Sequence, residues 1–99
     1  MNFKEQEQRL EIFKKAGWIC ENCGNRLSRY GTQQLGHRIP QQKMYIKMYS
    51  KDVVHHKLNM AACCCLRCNN AVSINGKTLL IEKLVDKIMG VIENDKEQT

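Results

Sequence analysis

The first stretch of the chain has the apolar spacing of an amphipathic helix. Over residues 3–16, apolar side chains recur at helical positions, while Lys and Glu fill the other face. The apolar face consists of Leu10, Ile12, Phe13 and Ala16. Gly17 follows these residues and supplies a stop signal. We therefore predict an N-terminal helix over residues 3–16.

The end of the chain has a longer pattern of the same kind. Asn75 and Gly76 form a turn signal, and an amphipathic helical period follows. Its apolar stripe consists of Leu80, Leu84, Ile88 and Ile92. We predict a helix over residues 77–93 that packs on the N-terminal helix, and a frayed polar tail after Glu93. A homodimer through the stripe is the alternative, because a small domain does not always cover so long an apolar face.

The segment between these helices has short extended and turn signals. Pro40 favours an extended conformation at Ile39, which places His37 on a strand or at its end. The stretch LNMAACCCLRCNNAVSI predicts a short strand followed by the start of a helix. The basic stretch QKMYIKMYSKDVVHHKLN fits either a helical turn or an irregular loop, and its pattern leaves both open.

Length and charge restrict the possible classes of function. The 99 residues are enough for one domain, spanning 1–99. The chain has 16 Lys and Arg against 10 Asp and Glu, and its net charge of +6 favours an acidic partner such as nucleic acid. The charged start lacks the apolar core of a secretory signal, and no apolar run approaches the length of a membrane span. We expect an intracellular, cytoplasmic protein with no membrane partner.

The six cysteines are the main chemical signal. Cys20 and Cys23 form a C-x-x-C turn, and the other four lie together as Cys63, Cys64, Cys65 and Cys68. In a reducing compartment, thiols at this spacing indicate a metal more than disulfides, which are the alternative. Two pairs suit a structural zinc ion held by four thiolates. Cys68 is the clearest ligand of the second pair, and spacing alone leaves its partner open. We expect the surplus cysteines to be small buried apolar residues.

The order of these motifs resembles the HNH endonuclease family. Along the chain, C-x-x-C is followed by GHRIP, then HHKLN, then C-x-x-x-C-N-N. The stretch GHRIPQQKMYIKMYSKDVVHHKLNM, with CNNAV after it, is similar to a phage- and bacteria-associated branch of small proteins. The resemblance covers residues 18–74. It implies a small α+β fold with a ββα-metal (His-Me finger) core and a structural zinc knuckle, flanked by the N- and C-terminal helices.

The resemblance also implies roles for single residues. His37 matches the general base that activates water for phosphodiester hydrolysis, and an imidazole with a pKa of about 6.5 suits that role. Asn59 matches the middle Asn, which orients the base or its loop, and Asn69 matches the third position, which is His or Asn. The implied zinc ligands are Cys20, Cys23, Cys64 and Cys68. Cys64 is preferred because the family places this cysteine five residues beyond the middle Asn.

One position departs from the family pattern. The residue before the base is usually Asp or His and binds the catalytic ion, but here it is Gly36. His55 or His56 could supply the missing imidazole, and we take His56 as a candidate catalytic residue. The resemblance implies Mg²⁺, Mn²⁺ or Ni²⁺ as a second ion, and imidazole suits the latter two better than Mg²⁺. Alternatives are a catalytically degenerate zinc-knuckle DNA-binding or adaptor protein, and a zinc-stabilised protein-interaction domain.

Basic residues near these motifs are candidate contacts to DNA. Arg38, beside the predicted base, is the first candidate for a phosphate contact. The others are Arg26, Arg29, Lys43, Lys47, Lys51, Lys57 and Arg67. Tyr45 and Tyr49 lie among these lysines, and their rings either stack on bases or pack in the core. An ordinary solvated charge is the alternative for each lysine. Because such a nuclease contacts phosphates more than bases, we expect little sequence preference.

Overall fold

A computed structural model describes residues 3–27 and 33–97 of the chain. Its elements, in chain order, are helix α1 (Phe3–Lys15), strand β1 (Gln34–His37), helices α2 (Lys43–Tyr49) and α3 (Lys51–Val54), a 3-10 turn (Lys57–Asn59), strand β2 (Met60–Cys63), and helices α4 (Leu66–Ala71) and α5 (Thr78–Glu97). The predicted small α+β class is confirmed. Within the described ranges, none of the helices combines the length and the apolar character needed to cross a membrane.

The two strands form the centre of the fold. They pair antiparallel, from Gln34 opposite Cys63 to His37 opposite Met60, and α4 packs against both strands. At Gly36 the approach is close, since a Cβ placed there would lie 2.6 Å from Cγ2 of Val72. Glycine therefore lets α4 lie directly on β1.

Helix α1 ends where its sequence predicts. Gly17 has a φ of 68°, the N–H of Trp18 donates to the carbonyl of Phe13 at 3.0 Å, and the N–H of Gly17 donates to Lys14 at 3.0 Å. This hydrogen-bond pair is a Schellman motif, which glycine favours because it adopts the left-handed conformation without strain. Phe13 is buried as predicted, but Leu10 is 48% exposed and lies outside the buried face.

Helix α5 packs on a partner other than the predicted one. Ile81 is buried in a core cluster with Ile39 and Tyr45, and the helix contacts α3 and the 3-10 turn. Leu80, which headed the predicted stripe, is 48% exposed. Ile88 of the predicted stripe is fully buried, and Leu84 and Ile92 are half-buried, so the buried face keeps three of the four predicted residues and has Ile81 in place of Leu80. The helix continues to Glu97, so the predicted frayed tail is helical up to that residue.

The basic stretch that the pattern left open is helical. It forms α2 and α3, joined at Ser50, which has a φ of 90° and a ψ of 159°. Tyr45 is buried, and its hydroxyl donates to Oδ1 of Asn75 at 2.7 Å and accepts from the N–H of Gly76 at 3.1 Å. Tyr49 is half-buried and stacks on Tyr45 with ring centroids 6.4 Å apart. Both rings therefore pack in the core.

Candidate metal centre and histidine site

Four cysteine sulfurs converge where β2 leads into α4. The Sγ atoms of Cys20, Cys23, Cys64 and Cys68 all lie within 4.8 Å of one another. Cys64 Sγ is 3.6 Å from Cys23 Sγ and 3.8 Å from Cys68 Sγ. All six cysteines are free thiols. The group could hold a metal ion, which confirms that the four predicted ligands lie together.

The turn that carries the first pair is fastened to the sheet. The N–H of Cys20 donates to the carbonyl of Asn25 at 2.8 Å, which closes the turn. Glu21 then pairs with Ala62 of β2: its N–H donates to the Ala62 carbonyl at 2.9 Å, and its carboxylate accepts from the Ala62 N–H at 2.6 Å. These bonds bring the turn beside Cys64, the first residue after β2.

The tertiary structure distinguishes the three consecutive cysteines. Cys63 ends β2 in the core, and its burial raises the pKa of the thiol to about 11. Cys64 joins the converging group. Cys65 caps α4 and is exposed, with its Sγ 3.9 Å from that of Cys64. The prediction of small buried surplus cysteines is confirmed for Cys63 and is wrong for Cys65.

The surroundings of the converging group affect the ionisation of its thiols. Burial raises the pKa of Cys20, but hydrogen bonds from the N–H groups of Cys23, Asn22 and Cys64 outweigh it and lower the pKa to about 6. Hydrogen bonding between the thiol of Cys64 and that of Cys23, and then the loss of solvent around it, raise the pKa of Cys64 instead. A cation at the centre would favour the thiolate at every position, because it removes the repulsion between them.

His37, the last residue of β1, is half-buried between polar and aromatic neighbours. The amide nitrogen of Gln41 lies 3.1 Å from its Nδ1. The ring of His55 lies perpendicular to it, with centroids 5.7 Å apart. Burial, together with the charge of His55, lowers the pKa of His37. The imidazole is therefore neutral at neutral pH and able to accept a proton.

His37 and Asn69 line one depression, on the side of α4. Its other lining residues are Leu35, Pro40, Gln41, Asn70 and Ser73. The side-chain nitrogen of Asn69 donates to Oε1 of Gln34 at 2.9 Å. Its side-chain oxygen faces β1, 3.0 Å from where a Cβ on Gly36 would lie. The structure thus brings together two of the predicted site residues.

A second depression adjoins His37 on the side of α1, and His55 lies there. It is also lined by Glu5, Gln8, Arg9 and Met60. His56 faces elsewhere: its Nδ1 accepts from the N–H of Leu58 at 3.1 Å, and its ring lines a depression with Asp95 of α5. The histidine beside His37 is therefore His55, whereas the sequence prediction placed His56 in the site. Two adjacent histidines give no spacing signal that separates them.

Asn59 is fully buried and joins three segments of main chain. Its Oδ1 accepts from the N–H of Ile39 at 2.8 Å, and its Nδ2 donates to the carbonyls of Ile39 at 3.0 Å and Val54 at 2.8 Å. Its own carbonyl accepts from the N–H of Arg38 at 2.8 Å. Asn59 therefore fixes the chain that follows His37, and both of its amide hydrogens are already used.

Two of the predicted phosphate contacts lie in ion pairs. Arg38 lies 3.3 Å from Glu21, and Lys57 lies 2.9 Å from Glu11. Both line a cleft beside α1. Consecutive residues of an extended chain point to opposite sides, so Arg38 points away from the depression that His37 shares with α4. Its position next to His37 in sequence does not place it beside the imidazole.

The other predicted contacts to DNA are distributed over the surface. Lys43 and Lys47 are exposed one helical turn apart on α2. The remaining exposed ones are Arg26, Lys51 and Arg67. Arg29 lies outside the described residues.

Comparison of the chain with models of known protein families, with curated proteins and with solved structures gives no match in any of the three. The HNH family therefore stays a prediction that rests on the motifs of the chain.

Proposed function

We propose that the chain is a metal-dependent DNA endonuclease of HNH type, with a ββα-metal fold and His37 as its base. One observation supports this most. His37 at the end of β1 shares a depression with Asn69 of α4, and α4 packs across the antiparallel strand pair. The HNH resemblance implies this placement of base and helix. A net charge of +6 fits a nucleic-acid partner.

We propose Zn²⁺ as the ion of the cysteine group. Four sulfurs placed tetrahedrally at about 2.3 Å from zinc lie about 3.8 Å apart. The separations of Cys64 Sγ from Cys23 Sγ and Cys68 Sγ are 3.6 and 3.8 Å. The bound ion would tie the first cysteine turn to the start of α4. It supplies folding free energy, which matters in a domain with so small a core.

In the proposed reaction, His37 accepts a proton from water while the water oxygen bonds to phosphorus. The bond between phosphorus and the 3′ oxygen breaks, and the leaving oxygen takes a proton from solvent. The products are a 5′-phosphate and a 3′-hydroxyl. The exposed Lys43, Lys47 and Arg67 are the candidates for holding flanking phosphates.

The predicted second ion has few protein ligands. In the ranges 3–27 and 33–97, the cysteines form the one group of three or more His, Cys, Asp or Glu side chains that converges on a point. Gly36 offers no ligand, and Val72 and Asn69 occupy the space beside it. The chain itself therefore supplies His37 to the proposed reaction, and Mg²⁺, Mn²⁺ or Ni²⁺ is added in the assay to test the proposed metal dependence.

A non-catalytic zinc-knuckle protein that binds DNA is the second candidate function. The packing of Gly36 supports it, because an Asp or His at this position would collide with α4. This candidate predicts binding that weakens with salt, since Lys and Arg would displace counterions from phosphates. It predicts no cleavage with any divalent ion.

Plasmid nicking separates the two candidates. Zinc-loaded protein is mixed with supercoiled plasmid and Mg²⁺, Mn²⁺, Ni²⁺ or Co²⁺, with the His37→Ala variant beside it. Nicking that is lost in the variant, at unchanged zinc content and helix content, supports the endonuclease. A salt-sensitive gel shift without nicking supports the second candidate. The absence of both nicking and a gel shift would support a protein-interaction domain. Loss of nicking in His56→Ala would restore the sequence prediction for that residue.

A further inference from the structure

The imidazole of His37 has distinct surroundings at its two nitrogens. Nδ1 lies 3.1 Å from the amide nitrogen of Gln41, a side chain that is exposed. Nε2 is buried, and it has no hydrogen-bond partner among residues 3–27 and 33–97. The ring of His55 stands at 90° to the imidazole, with centroids 5.7 Å apart. The two nitrogens therefore differ in access to solvent and in partners.

These contacts define where the proton of neutral His37 lies. A neutral imidazole carries one N–H, and its other nitrogen is an acceptor. Because the amide nitrogen of Gln41 only donates, Nδ1 is the acceptor and the proton lies on the buried Nε2. A buried N–H without an acceptor is costly. The ring of His55 stands perpendicular to this imidazole, an arrangement that is favourable where the positive edge of one ring meets the negative face of the other.

The position of His55 is set by the main chain around it. Its N–H donates to the carbonyl of Lys51 at 2.9 Å, in the last turn of α3. Its carbonyl accepts from the side chain of Gln8 at 3.4 Å, which connects it to α1. Both bonds use the main chain, so the imidazole of His55 is free to pack against His37. A substitution at this exposed position keeps both bonds.

We propose that His55 is the positioning residue of His37: it packs against the imidazole, holds the Nε2–H form, and leaves Nδ1 as the atom that accepts the proton of water. This inference rests on the proposed endonuclease function. In this proposal the side chain of Gln41 occupies Nδ1 before substrate binds. Because that side chain is exposed, it can leave Nδ1 when a water and a phosphate enter.

The test measures the proton position and the rate separately. Nitrogen-15 chemical shifts of the His37 ring distinguish a protonated from an unprotonated nitrogen, with no substrate present. Plasmid nicking gives kcat and KM. Three zinc-loaded proteins are compared at one pH: the wild type, His55→Ala and His55→Phe. A single pH is used because α1 also presents Glu5 and Arg9 to this depression.

In the wild type we expect an unprotonated Nδ1. In His55→Ala we expect a mixture of the Nδ1–H and Nε2–H forms of His37. We also expect kcat to fall by about tenfold to a hundredfold at similar KM, since a placed base supplies a factor of about 10² to 10⁴ and only a part of it would be lost. His55→Phe keeps a ring of similar shape without a titrating group, and it should restore the single form and most of kcat. A purely structural role would not give rescue together with this change in shifts.

Two results would overturn the proposal. One is a protonated Nδ1 in the wild type, and the other is unchanged His37 shifts in His55→Ala. A wild type that does not nick DNA with any ion contradicts the endonuclease itself. In that case the shifts still decide whether His55 sets the proton of His37, so the failure of one proposal is distinct from the failure of the other.

Discussion

The side chain of Asn59 binds the main chain of Ile39 in both directions. Its Oδ1 accepts from the N–H of Ile39 at 2.8 Å, and its Nδ2 donates to the carbonyl of Ile39 at 3.0 Å. Both residues are fully buried. The amide thus replaces a strand neighbour for the segment immediately after β1, which explains how this segment is buried without unpaired main-chain groups.

Substitution of Asn59 by Ala should lower the free energy of unfolding by about 3 kcal/mol, because it leaves the N–H and carbonyl of Ile39 buried without partners. Urea unfolding followed by circular dichroism measures the change. The control is Asn70→Ala at an exposed position of α4, which should stay within about 0.5 kcal/mol of the wild type. Equal losses of stability in the two variants would contradict this role of the Asn59 hydrogen bonds.

A second prediction concerns the contact between β1 and α4. Gly36→Ala should destabilise the protein by about 1–3 kcal/mol, since its Cβ would lie 2.6 Å from Cγ2 of Val72 and force packing to shift. Gly90→Ala is the matched control, because nothing lies within 4 Å of a Cβ there and the residue is inside α5. It should stabilise by up to about 1 kcal/mol. A neutral Gly36→Ala would mean that α4 can move away from the strand.

The metal content of two cysteine variants tests the choice among adjacent thiols. Cys64→Ser removes a member of the converging group, and it should lose the bound ion on dialysis and unfold more readily. Cys65→Ser should keep about one ion per chain, because Cys65 lies outside the group. Metal analysis by mass spectrometry after dialysis gives the answer. Retention by the first variant and loss by the second would exchange the two assignments.

The pH dependence of stability should show a contribution from His37. Burial and the charge of His55 lower its pKa in the folded state. Between the unfolded pKa of about 6.5 and the folded pKa, the unfolded chain binds more protons, so the contribution is present above pH 6.5 and is lost as the pH falls. The free energy of unfolding should therefore fall more in the wild type than in His37→Gln between about pH 7.5 and about pH 5.5.

The comparison between these two proteins removes effects that they share, including protonation of the four converging cysteines. His56 also has a lowered pKa, caused by burial and the charge of Lys57 against the opposing effect of Asp95. His37→Gln should therefore keep a part of the pH dependence, and His37→Gln/His56→Gln should lose more of it. Identical pH profiles in the wild type and the single variant would refute the contribution of His37.

The junction between α2 and α3 offers a gain in stability. Ser50 has a φ of 90° and a ψ of 159°, a region that residues with a Cβ occupy at a cost of about 1–3 kcal/mol. Ser50→Gly should raise the free energy of unfolding by about 1 kcal/mol, after the larger entropy of glycine in the unfolded chain is subtracted. Ser50→Ala retains the Cβ and should bring no gain. Thermal melts of the three proteins measure the difference.

Local signals in the sequence were enough for the parts of the fold that depend on neighbouring residues. The end of α1 follows from Gly17, because a left-handed residue closes a helix through bonds within six residues. The C-x-x-C turn at Cys20 follows from its own turn formers, and α5 follows from its apolar period. These features need no information about distant parts of the chain.

The tertiary structure decided the questions in which candidates differ by one position. Cys64 rather than Cys65 joins the converging cysteine group because β2 ends at Cys63 and the Glu21 turn is fastened to the strand beside it. His55 rather than His56 meets His37 because His55, the residue after α3, contacts both the ring of His37 at the end of β1 and the side chain of Gln8 on α1. A shift of one residue turns a side chain by about 100° on a helix and to the other face of a strand. Spacing within the chain therefore indicates a cluster, and the packing of separate elements selects its members.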